Sequence, residues 1–477
     1  NTLGSSKKIE ETLRKIGITP EEKEIFKIVK DANLWFLRMR TGRSFKAEMG
    51  HAFEKWFENY FEVHPDWFAL QLNGTRIPRH PALAHLCLSN SEVHEEWGRI
   101  AMEYFYKRPY AIGYEAGPND DPYGGYCLCE NCKKLDVLSG YKIKLRYGTK
   151  WINYYPLTDR HVWFWNKLAD ILEKNIPGKF LCTHAYRVYL SPPQKEKLKE
   201  NVIILFVGPT VINDEGREMH KRWFKGWLDS NCKHIILRPN IFHSFFCLPS
   251  NYAYKLANDL KYYSKFPELM GFIFDCTQHH WGSIGLNYYI VARIIENPDI
   301  DVEREIKEYI NLLFEDVSLE MEKYFKELEK LTNEIQKSNK IMRVGPAFMV
   351  NVSYFYTPEK IKMFKDMLKN AYEKTKSEKV KKRINLIYES WEFTELVMEL
   401  IDKVKQTKSL VYAEKEKEEL ENFIKNHIYS FGMNGINIAY YLKNSILNRL
   451  KEMLEDEYET EYKGEFSEYY KFFLSDY

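Results

Sequence analysis

Residues 114–134 read YEAGPNDDPYGGYCLCENCKK and gather, at close spacing, side chains that can do chemistry. Glu115, Asp120 and Asp121 supply carboxylates; Cys127, Cys129 and Cys132 supply thiols. Two carboxyls facing one substrate can have their pKa values pushed apart, so that one donates a proton while the other stays charged. Cleavage of a glycosidic bond needs that division of labour. Asn119, Asp120 and Asp121 also have the composition of a plain turn whose side chains bond nearby backbone N–H groups. Spacing alone leaves both readings open.

The thiols allow three readings. Cys129 and Cys132 have the C-x-x-C spacing of half a zinc site, which Cys127 or the distant Cys87 would complete. A disulfide within the group, or to Cys87, would need an oxidising compartment. Free packed thiols are the third. In each case the cysteines hold a loop, because a nucleophilic cysteine wants a positioned histidine and the sequence locates none. The acid chemistry itself requires no cofactor.

The elements that must position these groups alternate from about residue 31 to 300. Apolar runs expected as strands are NLWFLRMR (33–40), HLCLSN (85–90), YAIGYEAG (110–117), GKFLCTHAY (178–186), NVIILFVGP (201–209), HIILRPNIF (234–242) and LMGFIFDCT (269–277). Amphipathic stretches such as EVHEEWGRIAMEYFYK and RHVWFWNKLADILEKN separate some of them. Strands alternating with helical patterns predict βαβ units and a parallel sheet. Seven strands are one short of a closed (β/α)8 barrel, whose first strand would then be missing. Right-handed crossovers would bring the strand ends to one face, where barrel enzymes keep their chemistry.

Polar residues collect at those strand ends. Asn90 ends HLCLSN, His184 and Tyr186 end FLCTHAY, Asn240 and His243 follow IILRP, and Asp275 with His279, His280 and Trp281 follows GFIF. The stretch GHAFEKWFENYFEVHPDWFAL adds His51, His64, Asp66 and Trp67. Each alone reads as a structural residue; their shared location raises the functional reading.

After about residue 301 the texture changes to Lys/Glu-rich amphipathic segments, expected as helices. The predicted organisation is a helical lead-in over 5–30, a barrel over 31–330 and a helical C-terminal domain over 331–477. The 477 residues carry a formal charge of +2, which argues against nucleic acid as a partner. Aromatics make up 16% of the chain, enough to line a sugar cleft or simply to fill a core. No apolar run approaches the ~18 residues of a membrane span. The opening NTLGSSKKIEETLRKIG has neither Met nor a signal-type stretch, so the chain reads as a processed form or a fragment.

Five of these motifs occur in the order seen in one bacterial group: GHAFEKWFENYFEVHPDWFAL, LCLSNSEV, GPNDD…YCLCENC, THAYRVYLSPP and LNYYIVARIIENPDIDVEREIKEYINLLF. Over about 31–330 the chain resembles a glycoside-hydrolase-like domain of unknown function found in glycan-degrading bacteria. That group includes the family 163 endo-β-N-acetylglucosaminidases and is distantly similar to family 20 and family 84 hexosaminidases. The resemblance implies a (β/α)8 TIM-type barrel, a carbohydrate substrate and a secreted or periplasmic location. It also implies an acidic pair at the end of the fourth strand. One acid orients the substrate's 2-acetamido group, whose oxygen attacks the anomeric carbon to give an oxazoline; the other protonates the leaving oxygen.

Counting a lost first strand, YAIGYEAG is the fourth. Asp120 is then expected to orient the acetamido group and Asp121 to act as general acid/base, with Glu115 as substitute acid. His51, Trp67, Asn90, His184, Tyr186, Asp275 and Trp281 are expected to shape the sugar cleft. The chain departs from the family 20 pattern in having Asp-Asp for Asp-Glu, and Pro122 restricts the backbone of Asp121. Two other functions fit the same residues. A glycosidase for uronic acids would use Arg187 or Arg238 on the substrate carboxylate, and a non-catalytic glycan-binding barrel would keep the cleft without a working acid.

Overall fold

The structure is a computed structural model that describes residues 47–428 apart from 121–123, 149, 209–213, 243–246, 275–279, 338–348 and 351, with residues 14, 430, 446, 447 and 450 besides. The expected strand at 33–40 and, apart from Arg14, the helical lead-in lie outside the described residues.

The centre of the fold is a five-stranded parallel sheet, ordered β1-β4-β5-β6-β7. Its strands are β1 (Gly113–Glu115), β4 (Phe180–Ala185), β5 (Val202–Phe206), β6 (His234–Leu237) and β7 (Leu269–Phe272). Each lies inside an apolar run expected as a strand. The runs are apolar almost without break because parallel strands are covered on both faces. One face (Leu181, Ile204, Phe206, Ile235, Leu237) joins the large core shared with the helices. The other carries a separate cluster of Cys182, Ile203, Leu205 and Ile236, with Ala47, Met49, Phe180 and Met270 packed against it.

Residues 47–51 extend the sheet beyond β1. Ala47 pairs in parallel with Gly113 and His51 with Gly117, through Glu48 N–H to Gly113 O (3.2 Å) and Ala52 N–H to Gly117 O (2.9 Å). The stretch HLCLSN, expected as a strand beside β1, is not one: Leu86 makes a single antiparallel bridge to Phe68, and the chain then turns into a helix. Its residues His85 to Leu88 are all buried. A short apolar run burying every residue has no period that distinguishes strand from packed loop. The count that made YAIGYEAG a fourth strand therefore does not follow from the sheet, where the neighbour of β1 is 47–51.

A hairpin went unforeseen. β2 (Ile143–Tyr147) and β3 (Lys150–Tyr154) pair antiparallel in what reads as a loop. Gly148, at φ +66°, makes the turn, a backbone conformation that suits glycine.

The helices of the first two-thirds are α1 (Trp56–Tyr60), α2 (Ser91–Lys107), α3 (Glu130–Lys133), α4 (Thr158–Asn175), α5 (Asp214–Asp229), α6 (Ala253–Tyr263) and α7 (Trp281–Glu296). Then come α8 (Val302–Phe314), α9 (Ser318–Lys337), α10 (Pro358–Lys374), α11 (Glu378–Thr407) and α12 (Glu414–Asn426). Caps fix several starts: Asp301 accepts from Arg304 N–H and Ser377 from Val380 N–H, satisfying donors the helix leaves open. The boundary expected at 330/331 falls inside α9. The late helices pack on the sheet region: Tyr356 donates to Pro249 O at 2.9 Å, and Asn251 N–H donates to Thr332 at 2.9 Å. None of the described helices is long and apolar enough to cross a membrane.

Candidate active site and cysteine cluster

Strand β1 aims its side chains alternately. Tyr114 faces α2, with its ring centroid 4.7 Å from Tyr104 and 5.8 Å from Trp97. Glu115 faces the opposite side, beside Cys182, its register partner. The indole of Trp97 donates to Glu115 O at 2.9 Å, so α2 grips the strand from behind. Burial raises the Glu115 pKa above the ordinary carboxylate value; a Gly50 backbone bond opposes the rise, while Glu48 and Glu54 add to it.

One layer nearer the carboxyl edge is Gly117. A Cβ there would come 2.4 Å from both Gly50 O and His184 Nδ1, so the close approach of the Gly50 backbone and the His184 ring requires glycine. His51 and His184 meet over it with ring centroids 5.6 Å apart, and His51 Nδ1 lies 2.5 Å from Pro118 O. These two expected cleft residues, 133 positions apart in the chain, are brought together.

Asn119 and Asp120 follow at the mouth. Asn119 is buried and holds the exit of β1 by accepting from Phe53 N–H (3.2 Å) and donating to Ala84 O (2.8 Å). Asp120 is half-buried and close enough to His85 for its charge to act on that ring. His85 is buried and stacks on Tyr126 with centroids 4.2 Å apart. Burial pushes its pKa down to about 4, with Asp120 pulling the other way. Its Nε2 has no hydrogen-bond partner among the described residues. It lines a cavity of about 20 Å³ with Phe53, Asn119, Arg160 and His161, room for about one water.

The other expected site residues are dispersed. Tyr186 follows β4 and accepts from Arg187 Nε at 3.0 Å; Arg187 stands at φ +45°, a strained value for a non-glycine residue. Arg238, at the exit of β6, points to Asn240 Oδ1 at 3.5 Å. Trp281 opens α7 and packs edge-on against Tyr288 at 5.1 Å. Asn90 caps α2 through Glu92 N–H and donates to Asp66 at 2.7 Å. Trp67 donates to Glu92 at 2.9 Å and stacks on His64 at 4.0 Å. Asp121, His243, Asp275 and His279 lie outside the described residues.

Behind the acid loop, Cys87 joins Cys127, Cys129 and Cys132, and all four sulfurs lie within 4.8 Å of one another. Cys87 Sγ is 3.6 Å from Cys129 Sγ and 3.9 Å from Cys132 Sγ, far beyond the ~2.05 Å of a disulfide. All four are free in the structure. Hydrogen bonds from Cys127 and then Cys132 hold the Cys87 thiol far below its ordinary pKa, against burial.

Two partners that the sequence did not disclose fix this loop. Gly124 bridges Tyr147 of the hairpin, Gly125 N–H donates to Arg146 O at 2.9 Å, and Tyr147 OH donates to Tyr126 O at 2.8 Å. Arg160 of α4 donates to Cys127 O at 2.7 Å and pairs with Asp136 through Nε at 2.8 Å and a second, Nη2 bond. Both partners of that ion pair are buried. The alternation in KIKLRYGTKWINYY was the available sign of the hairpin; the Arg160–Asp136 pair left none.

Comparison with solved structures gives slight likenesses. A mutant of the Thermobaculum terrenum O-GlcNAc hydrolase superposes with a TM-score of 0.37 at 13% identity, covering 80% of this chain and 79% of its own. CpGH84B gives a TM-score of 0.24 at 11% identity over 72% and 74%. Likenesses this slight decide nothing about the chemistry of the site. No curated protein matches the chain. The sequence does place it: residues 12–326, well over half of the chain, match the domain of unknown function DUF4838, and the protein belongs to that family.

Proposed function

We propose that this protein is a glycoside hydrolase of the family 163 type, built on a (β/α)8 barrel and cleaving β-linked N-acetylglucosamine-containing glycans by a substrate-assisted, retaining mechanism. One observation carries the reading: Asp120 lies just past the carboxyl end of a parallel strand, next to Asn119, whose side chain holds that exit, and close enough to His85 for its charge to act on that ring. Open and closed parallel α/β sheets alike bind ligands beyond the carboxyl ends of their strands. His184, at the exit of β4, and His51 form one wall of the proposed cleft.

Asp120 accepts the acetamido N–H and holds the group so that its carbonyl oxygen reaches the anomeric carbon. Asp121 protonates the leaving oxygen as the glycosidic bond breaks and the oxazoline forms. It then takes a proton from water as water opens the oxazoline, which restores both carboxyls. Glu115, whose pKa burial raises, is the substitute acid.

The test is hydrolysis of a complex N-glycoprotein and of chromogenic β-N-acetylglucosaminides by the parent, Asp120→Asn and Asp121→Asn. Loss in both variants is expected. In Asp121→Asn, turnover should return with an aryl leaving group acidic enough to depart unprotonated. Full activity in Asp121→Asn would move the acid to Glu115. A parent that binds glycan without turnover would be a non-catalytic glycan-binding barrel, and turnover confined to uronides would assign the cleft to that sugar class.

A further inference from the structure

We infer that Cys87, Cys127, Cys129 and Cys132 form a structural zinc site that ties the acid loop to the start of α2. A tetrahedral zinc with Zn–S bonds of ~2.3 Å sets its sulfurs about 3.8 Å apart. The Cys87 separations of 3.6 and 3.9 Å already match that edge, and the remaining sulfurs lie within 4.8 Å. Four soft thiolates fill every position of a tetrahedral ion, the pattern of a closed structural site with no place for substrate.

The surroundings suit a site of net negative charge. Leu70 N–H points to Cys127 Sγ at 3.3 Å, and Cys132 N–H to Cys129 Sγ at 3.4 Å. The Ser89 hydroxyl lies 3.3 to 3.8 Å from three of the sulfurs. Binding converts thiols to thiolates and passes their protons to solvent. No electron moves, so no oxidant is needed.

The ion would join two segments far apart in the chain. Cys87 lies three residues before the Asn90 cap of α2, and Cys127 follows the acid-bearing exit of β1. The zinc would thus tie the C-terminal end of the loop that presents Asp120 to the segment before α2, and its loss should loosen that loop before it unfolds the sheet.

The experiment is metal analysis of the whole chain purified without chelator. About one zinc per chain is expected, released in step with titration of the cluster thiols by a mercurial reagent. Cys87→Ser should lose most of the metal. Should that variant fail to fold, cobalt exchange into the parent keeps the test, because tetrahedral cobalt–thiolate coordination gives intense visible bands and a near-ultraviolet charge-transfer band. Peptide mass spectrometry after alkylation without reduction should find all four cysteines alkylated once the metal is stripped. A disulfide among them, bound iron in place of zinc, or a metal-free chain that takes up neither zinc nor cobalt would each overturn the inference.

Discussion

Asn119 clamps Phe53 to the exit of β1: its side-chain oxygen accepts the Phe53 backbone N–H at 3.2 Å while its amide donates to Ala84 O at 2.8 Å. One buried side chain thereby joins the segment after 47–51, the loop before Cys87 and the residue next to Asp120. Asn119→Ala would strand a buried donor and a buried acceptor, each costing about 1–3 kcal/mol. Urea denaturation should show a fall of roughly 2–6 kcal/mol, with the proposed glycan turnover reduced even where the variant remains folded. An unchanged midpoint would mean that the two backbone groups find water.

The Arg160–Asp136 pair is buried at both ends and also carries Cys127 O and Tyr154 OH. Removing one partner leaves an uncompensated charge, which costs about 3–5 kcal/mol. Asp136→Ala and Arg160→Met should each destabilise by that order, and the double variant by less than the sum. Additive losses in a double-mutant cycle would show that the two are not coupled.

Burial holds His85 at about 4 and His161 at about 3, below the ordinary 6.5. The unfolded chain therefore binds more protons than the native one as pH falls below 6.5. The stability these neutral rings leave intact above pH 6.5 is lost progressively toward pH 4 and 3, on the order of 3 kcal/mol per ring. Thermal midpoints measured from pH 7 to 4.5 should fall, and more shallowly in His85→Phe, which keeps the stack on Tyr126. A variant slope equal to the parent's would place the acid sensitivity elsewhere.

Glu115 shows the opposite sense. Its raised native pKa means that the folded state holds the proton more tightly than the unfolded one, so stability declines as pH rises from the unfolded value through the native one. Glu115→Gln should therefore stabilise the chain at pH 7, and the gain should vanish below about pH 4. Equal denaturation midpoints at pH 7 would show that Glu115 is ionised there without cost.

Gly282 is where α7 meets α11: a Cβ would lie 2.0 Å from Leu386 O and 2.4 Å from Ser390 Oγ. Gly282→Ala must push the two helices apart, at a cost of about 1–3 kcal/mol. Calorimetry should show the whole transition moving down, since α11 packs directly on the helix that follows the sheet. A split transition with the earlier one unmoved would make the C-terminal helices a separate unit.

The sequence by itself determined the local elements. The five paired strands lie inside apolar runs read as strands, and the Lys/Glu-rich segments after 301 are helices, because periodicity and capping are written within a few residues of where they act. It also marked Cys127, Cys129 and Cys132 as a group and placed Asp120 at a strand exit. Only the tertiary structure decided which distant residues meet. Cys87 joins the thiols as the fourth sulfur, His51 meets His184 across Gly117, and Arg160 finds Asp136. HLCLSN looked like a strand and is a packed loop, while 47–51 took the place beside β1. Burial alone makes an apolar run apolar, whereas sheet membership depends on register and on backbone partners that sit dozens of residues away.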